Sequence, residues 1–146
     1  MKMFIAAAAA LVLGASAHAA EIEVQMLNQG TDGERMVFEP AVIEASVGDT
    51  IRFIPVDKGH NAATVKRAIP DGAETVRGKI NEEIVYEVTA EGVYVFECTP
   101  HAAMGMLAVM VVGDDLSNLE AIAEARLPRK ARERLEGYLD TAGLSS

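Results

Sequence analysis

Six short stretches in which apolar residues recur at every second position constrain the fold of this chain more than any other feature. Ile22-Val24-Met26, Ile43-Ala45-Val47, Ile51-Phe53, Ile84-Tyr86-Val88, Tyr94-Phe96-Cys98 and Leu107-Val109-Val111 each put one apolar face on an extended segment, because side chains alternate sides along a strand. Between them stand Asn28-Gln29-Gly30, Asp32-Gly33, Gly48-Asp49, Pro70-Asp71-Gly72 and Glu91-Gly92, residue types that reverse the backbone through positive φ or side-chain bonds to the main chain. Many short strands at this spacing predict a mainly β protein, a Greek-key β-sandwich. Residues 57 to 80 alternate poorly and predict a long excursion with little regular structure.

After Gly113 the period becomes helical. Ser117-Asn118-Leu119-Glu120 has the form of a capping box, followed by Leu119, Ile122 and Ala123 at helical spacing. Pro128 suits the start of a second helix, Ala131, Leu135, Tyr138, Leu139 and Ala142 form its apolar stripe, and Gly143 can close it. The sandwich is therefore expected to end near residue 113 and to carry two C-terminal α-helices, spanning about 117 to 142, on a sheet edge or face.

The N-terminus reads as a targeting segment. Lys2 precedes an apolar run from Met3 to Ala15, and Ala17-His18-Ala19 has the small-x-small form read by signal peptidase. The run is shorter than the roughly 20 residues of a membrane span. The expectation is a signal peptide over 1–19, cleavage after Ala19, and export to the periplasm of a single domain, residues 20–146, with no membrane attachment. Of 13 basic residues only Lys2 lies in the signal, so 12 face 22 acidic ones, a net charge of −10. Such a chain is a poor binder of nucleic acid.

An exported chain with one cysteine cannot form an internal disulfide, so Cys98 calls for another explanation. It shares the aromatic face of Tyr94 and Phe96, and His101 follows three residues later, where a turn can bring it back. His60 lies 38 positions upstream, and His18 leaves with the signal. Two imidazoles, a thiolate and a thioether are the ligand inventory of a blue-copper electron-transfer site. Met104 and Met106 both lie within reach; Met106 opens a strand whose ladder would hold it, whereas Met104 sits in a loop before Gly105. Three other readings compete. A Cys98 nucleophile with a His101 base lacks an evident oxyanion motif or orienting acid, a copper store or chaperone would expose open Met-rich or paired-Cys loops, and structural zinc would not call for a thioether.

Met36-Val37-Phe38-Glu39-Pro40, Phe53 through Asn61 and Cys98-Thr99-Pro100-His101 through Met104-Gly105-Met106 resemble the pseudoazurins, a periplasmic branch of the cupredoxin family, over the whole mature chain and its helical tail. The resemblance implies one type 1 copper ion bound by His60, Cys98, His101 and Met106, and a protein that is not an enzyme. It implies that Asn61, on its own an ordinary turn residue, ties the ligand loops together, and that Met36 stacks near the exposed imidazole. It implies a monomer exchanging single electrons with transient partners, a nitrite reductase or a c-type cytochrome. Pseudoazurins ring that imidazole with basic side chains; Arg35, Lys58, Arg77 and Lys79 are available here, but Gln29 and Glu97 stand where lysine is common.

Overall fold

A computed structural model describes residues 18–145. Eight strands form two four-stranded sheets. The first holds β1 (Glu21–Gln29), β2 (Arg35–Glu39), β4 (Thr50–Pro55) and β6 (Ile84–Glu87) in the order β2-β1-β4-β6. The second holds β3 (Val42–Ala45), β5 (Ala63–Thr64), β7 (Gly92–Glu97) and β8 (Leu107–Val112) in the order β3-β8-β7-β5. β1 runs parallel to β4 and β3 to β8, while the other neighbours are antiparallel. The long connections needed for the parallel pairs pass from one sheet to the other.

Between the sheets lies a core of Val24, Met26, Phe38, Ile43, Ile51, Phe53, Ile84, Tyr86, Tyr94, Phe96, Ala108 and Met110, with Cys98 and Met106 at one end. Phe53, Tyr86 and Tyr94 each pack within 4.9–6.3 Å, centroid to centroid, of the Phe96 ring. The buried tyrosines keep their hydroxyls satisfied, Tyr86 donating to Glu74 O at 2.7 Å and Tyr94 to Ala90 O at 2.6 Å.

The tail covers the outer face of the second sheet. α1 (Leu119–Glu124) and α2 (Arg129–Thr141) bring Ile122, Ala131 and Leu135 onto Val93, Val95, Leu107 and Val109. Strands β7 and β8 are thus buried on both faces, which is why they read as nearly continuous apolar runs. Leu107, Val109 and Val111 face the helices, and the alternate set Met106, Ala108 and Met110 faces the other sheet.

Several expectations need correcting. The capping box does not form: Asn118 is the N-cap without a side-chain cap bond. Its amide instead closes a two-way pair with Val93, accepting from Val93 N–H at 3.0 Å and donating to Val93 O at 2.6 Å. Val93 pairs with Val111 of β8 on one edge but has no strand on the other, because β5 reaches only Phe96 and Glu97, and a buried strand residue needs those bonds more than a helix end near solvent does. Val47 lies beyond β3 and is exposed, and Asn28 and Gln29 belong to β1 rather than to the turn after it. β2 escaped notice because Val37 and Phe38 are both buried, breaking the alternation, and Met36 takes φ 53°. The excursion does stay irregular, with only the two residues of β5 in a strand. Gly143, at φ 74°, closes α2: its N–H donates to Asp140 O and Leu144 N–H to Leu139 O.

Candidate metal centre

The chain leaves β7 at Glu97 and turns back into β8 through the 3-10 segment Thr99–Met104. The β7–β8 ladder pairs Glu97 with Leu107, and Cys98 N–H continues it to Met106 O at 2.9 Å. Cys98 and Met106 therefore stand opposite each other across the two strands, and both side chains enter the inter-sheet core. Pro100 lies in the first turn of the 3-10 segment, and His101 N–H donates to Cys98 O at 3.0 Å, folding the imidazole back over the thiol. Met104 is 41 % exposed and Met106 fully buried, which separates the two candidate thioethers.

The turn ends at Gly105, φ 85°, where a Cβ would come within 2.9 Å of Lys130 Cγ and 3.0 Å of Arg134 Cδ on α2. Only glycine meets both the left-handed backbone and the close approach of the helix. On the other side, Gly59 at φ 96° delivers His60, with its N–H on Asn81 Oδ1 at 2.6 Å.

Three donor atoms converge. His60 Nδ1 lies 3.6 Å from Cys98 Sγ, His101 Nδ1 lies 3.5 Å from the same sulfur, and the two nitrogens are 3.2 Å apart. A point equidistant from all three is about 2.0 Å from each, the length of a bond between a transition metal and an imidazole nitrogen. His60 Nε2 donates to Asn28 Oδ1 at 2.9 Å. That bond places the proton on Nε2 and leaves a bare lone pair on Nδ1, the form a metal ligand needs. A second imidazole nitrogen aimed at this lone pair from 3.2 Å needs a proton or a cation between them, so the donor set fits a metal ion.

His60 and Cys98 are fully buried and His101 is half-buried. Burial, with the nearby His101, holds the His60 pKa below its ordinary value, keeping it neutral. Burial pushes the Cys98 thiol up, partly countered by the backbone N–H groups of Asn61 and His101. A metal must therefore displace a proton from the sulfur.

Asn61 clamps the two halves of the site. Its Nδ2 donates to Gly78 O at 3.0 Å and Thr99 Oγ1 at 3.1 Å, and its Oδ1 accepts from Thr99 N–H at 2.8 Å. It thus joins the residue after His60 to the residue after Cys98, as the resemblance implied.

Two contributors were invisible in the sequence. Asn28 read as a turn residue, and no spacing relates it to a histidine 32 positions away. Arg134, 12 % exposed on α2, donates to Met36 O at 2.7 Å, Arg35 O at 2.8 Å and Gly105 O at 3.0 Å, and pairs with Glu34 at 3.0 Å. One guanidinium thereby ties the helix to β2 and to the residue before Met106. Arg134→Ala is expected to destabilise the protein by about 2–4 kcal/mol, because three carbonyls lose a charged donor, and Arg134→Lys to recover only part of it. Urea unfolding of the three proteins measures this; equal midpoints would dismiss the tether.

Residues 24–113 match the copper binding proteins of the plastocyanin/azurin family. The chain is 48 % identical over 134 residues to a pseudoazurin of Paracoccus pantotrophus, covering 92 % of each protein. It is 47 % identical over 137 residues to a putative pseudoazurin of Rhizobium leguminosarum bv. viciae, covering 94 % of this chain and 90 % of that one. The crystal structure of pseudoazurin from Methylobacterium extorquens AM1 superposes with a TM-score of 0.79 at 43 % identity, covering 84 % of this chain and 98 % of that one. With the two-sheet sandwich, its helical tail and the buried His, His, Cys cluster, these likenesses establish that the chain belongs to the copper-binding plastocyanin/azurin family and, within it, to the pseudoazurins, which are copper electron carriers and not enzymes.

Proposed function

We propose that His60, Cys98, His101 and Met106 would hold one copper ion, through two imidazole nitrogens, a thiolate and a thioether, in a mature periplasmic domain of residues 20–146. The observation that carries this is the convergence of three donor atoms within 3.6 Å of one another, with the His60 tautomer set by Asn28. Bound copper supplies a one-electron couple between Cu(II) and Cu(I). The residues around it do the rest. His60, Cys98 and Met106 are buried, leaving no open position for a substrate. The β7–β8 ladder and the Asn61 clamp keep the donor atoms in place as the charge changes, which keeps reorganisation small. Electrons leave through the half-buried His101 ring, flanked by Pro100, Ala102 and Ala103.

The test is to add Cu(II) to the metal-free protein. One equivalent is expected to give an intense thiolate-to-copper band and a reversible one-electron reduction. A colourless, redox-silent complex would refute the carrier reading.

The signal segment lies outside the described residues except for its last two, His18 and Ala19, which are exposed and in no helix or strand. Export is supported by the sequence pattern and by β1 beginning at Glu21, close after the proposed cut. Among the described residues no helix is long and apolar enough to cross a membrane.

As partner we propose a nitrite reductase or c-type cytochrome, met by a monomer in small, transient contacts. Lys58, Arg35, Arg77 and Lys79 are all exposed, whereas Glu97 is half-buried. Lys58 adjoins Gly59, where a Cβ would lie 3.9 Å from His101 Cε1, so its charge stands on a segment packed beside the exit. Lys58→Glu is expected to slow association with an acidic partner several-fold at low salt and to flatten the salt dependence of the rate, as stopped-flow kinetics would register. A wild-type rate indifferent to ionic strength would remove steering by these cations.

A further inference from the structure

One residue before β1, Ala20 is held on both sides. Its carbonyl accepts from Thr50 N–H at 2.9 Å, and its N–H donates to Asp49 Oδ1 at 2.7 Å. The other oxygen of that carboxylate accepts from Ser46 N–H at 2.8 Å. Asp49 is only 8 % exposed, and the two amides hold its pKa below the ordinary carboxylate value. Among the described residues no lysine, arginine or histidine pairs with it. A buried ionised carboxylate without a counter-ion is costly, yet this one points at the nitrogen of the residue that follows the proposed cleavage point.

We propose that cleavage between Ala19 and Ala20 makes that nitrogen the missing cation, so that Asp49 is the seat of the mature α-ammonium group. The inference rests on the cleavage position proposed above. Hydrolysis adds water across the bond: hydroxyl to the Ala19 carbonyl carbon, hydrogen to the Ala20 nitrogen, which takes a further proton from solvent. At 2.7 Å the nitrogen already stands at the distance of a charge-assisted bond and need not move. The precursor has only a neutral amide there. Processing therefore strengthens the fold, and only a cut at this bond does so: one residue later removes the nitrogen from the seat, and one earlier leaves an amide in it.

The pH window follows from both partners. The ammonium gains a carboxylate, so its pKa rises above the ordinary value of about 8; its contribution is complete below that value and is lost as pH climbs through the raised one. Asp49, depressed in the fold, contributes above about pH 4 and loses this as pH falls through its lowered value. Nearby charges are acidic: Glu44 lines the same cleft, Glu87 lies opposite Thr50, and Glu21 is engaged by Arg52. They add to the upward push on the ammonium.

The test compares the copper-loaded chain beginning at Ala20 with one carrying an extra glycine before it, each with Asp49 or with Asp49→Asn. At pH 7 the Ala20 chain is expected to melt about 3–6 °C higher than the glycine-extended one. The gap should close above pH 10 and in the Asp49→Asn pair. An NMR titration should put the α-amino pKa of the Ala20 chain above about 8. Equal melting of the two chains at pH 7, or an ordinary amine pKa, overturns the seat whatever the natural cut. An intact mass of the exported protein that places the cut elsewhere overturns the processing step, and does so independently of the melting result.

Discussion

Cys98→Ser is expected to abolish the coloured, reducible centre while leaving the β-sandwich folded. The sulfur lies 3.5–3.6 Å from both imidazole nitrogens and is the one donor of the set that is an anion when bound. A serine hydroxyl is a hard, barely acidic oxygen; it offers Cu(I) no soft ligand and cannot produce a thiolate charge-transfer band. Copper affinity should fall by more than the roughly 10- to 100-fold that follows loss of an outer-shell partner. The metal-free protein should change little, because the smaller hydroxyl occupies the same buried place and has the N–H groups of Asn61 and His101 nearby. Visible absorption during Cu(II) titration, with thermal melting of the apo form as control, measures both. Survival of the band in Cys98→Ser would end the assignment of the centre.

Asn61→Ala should injure both fold and site. The residue is buried, and its loss strands Thr99 N–H and the Gly78 carbonyl, each at a cost of about 1–3 kcal/mol when no water replaces the partner. The sum is large for a single substitution, a fall in Tm on the order of 10 °C. The clamp also spans the chain directly after His60 and directly after Cys98, so copper affinity should drop about 10- to 100-fold. Calorimetry of apo and copper-loaded forms separates the two effects. An unchanged Tm together with an unchanged spectrum would show that Asn61 is an ordinary turn residue after all.

The features legible in the sequence are those whose physics is local. The loop from Cys98 to Met106 carries three of the four proposed ligands within nine residues, so its ligand types declare themselves. Period-two alternation marked β1, β3, β4, β6, β7 and β8, and the stripe of α2 with Gly143 marked the last helix and its stop. β2 and the failed cap at Ser117–Glu120 were not legible, since each depends on what a distant strand leaves unpaired.

The amino-acid order by itself thus determined the strand-rich class, the helical tail and the donor atoms available to a metal. Folding alone decided that Leu107 and Val109 turn to the helices while Met106 turns to Cys98, that Asn28 fixes the His60 tautomer, that Arg134 reaches back to Gly105, and that Asp49 meets the Ala20 nitrogen. The reason is the range of each interaction. Alternation and helical stripes arise between residues a few positions apart, but the contacts of Asn28, Arg134 and Asp49 join residues 29 to 32 positions apart, and they exist only once strands and helices have packed in register.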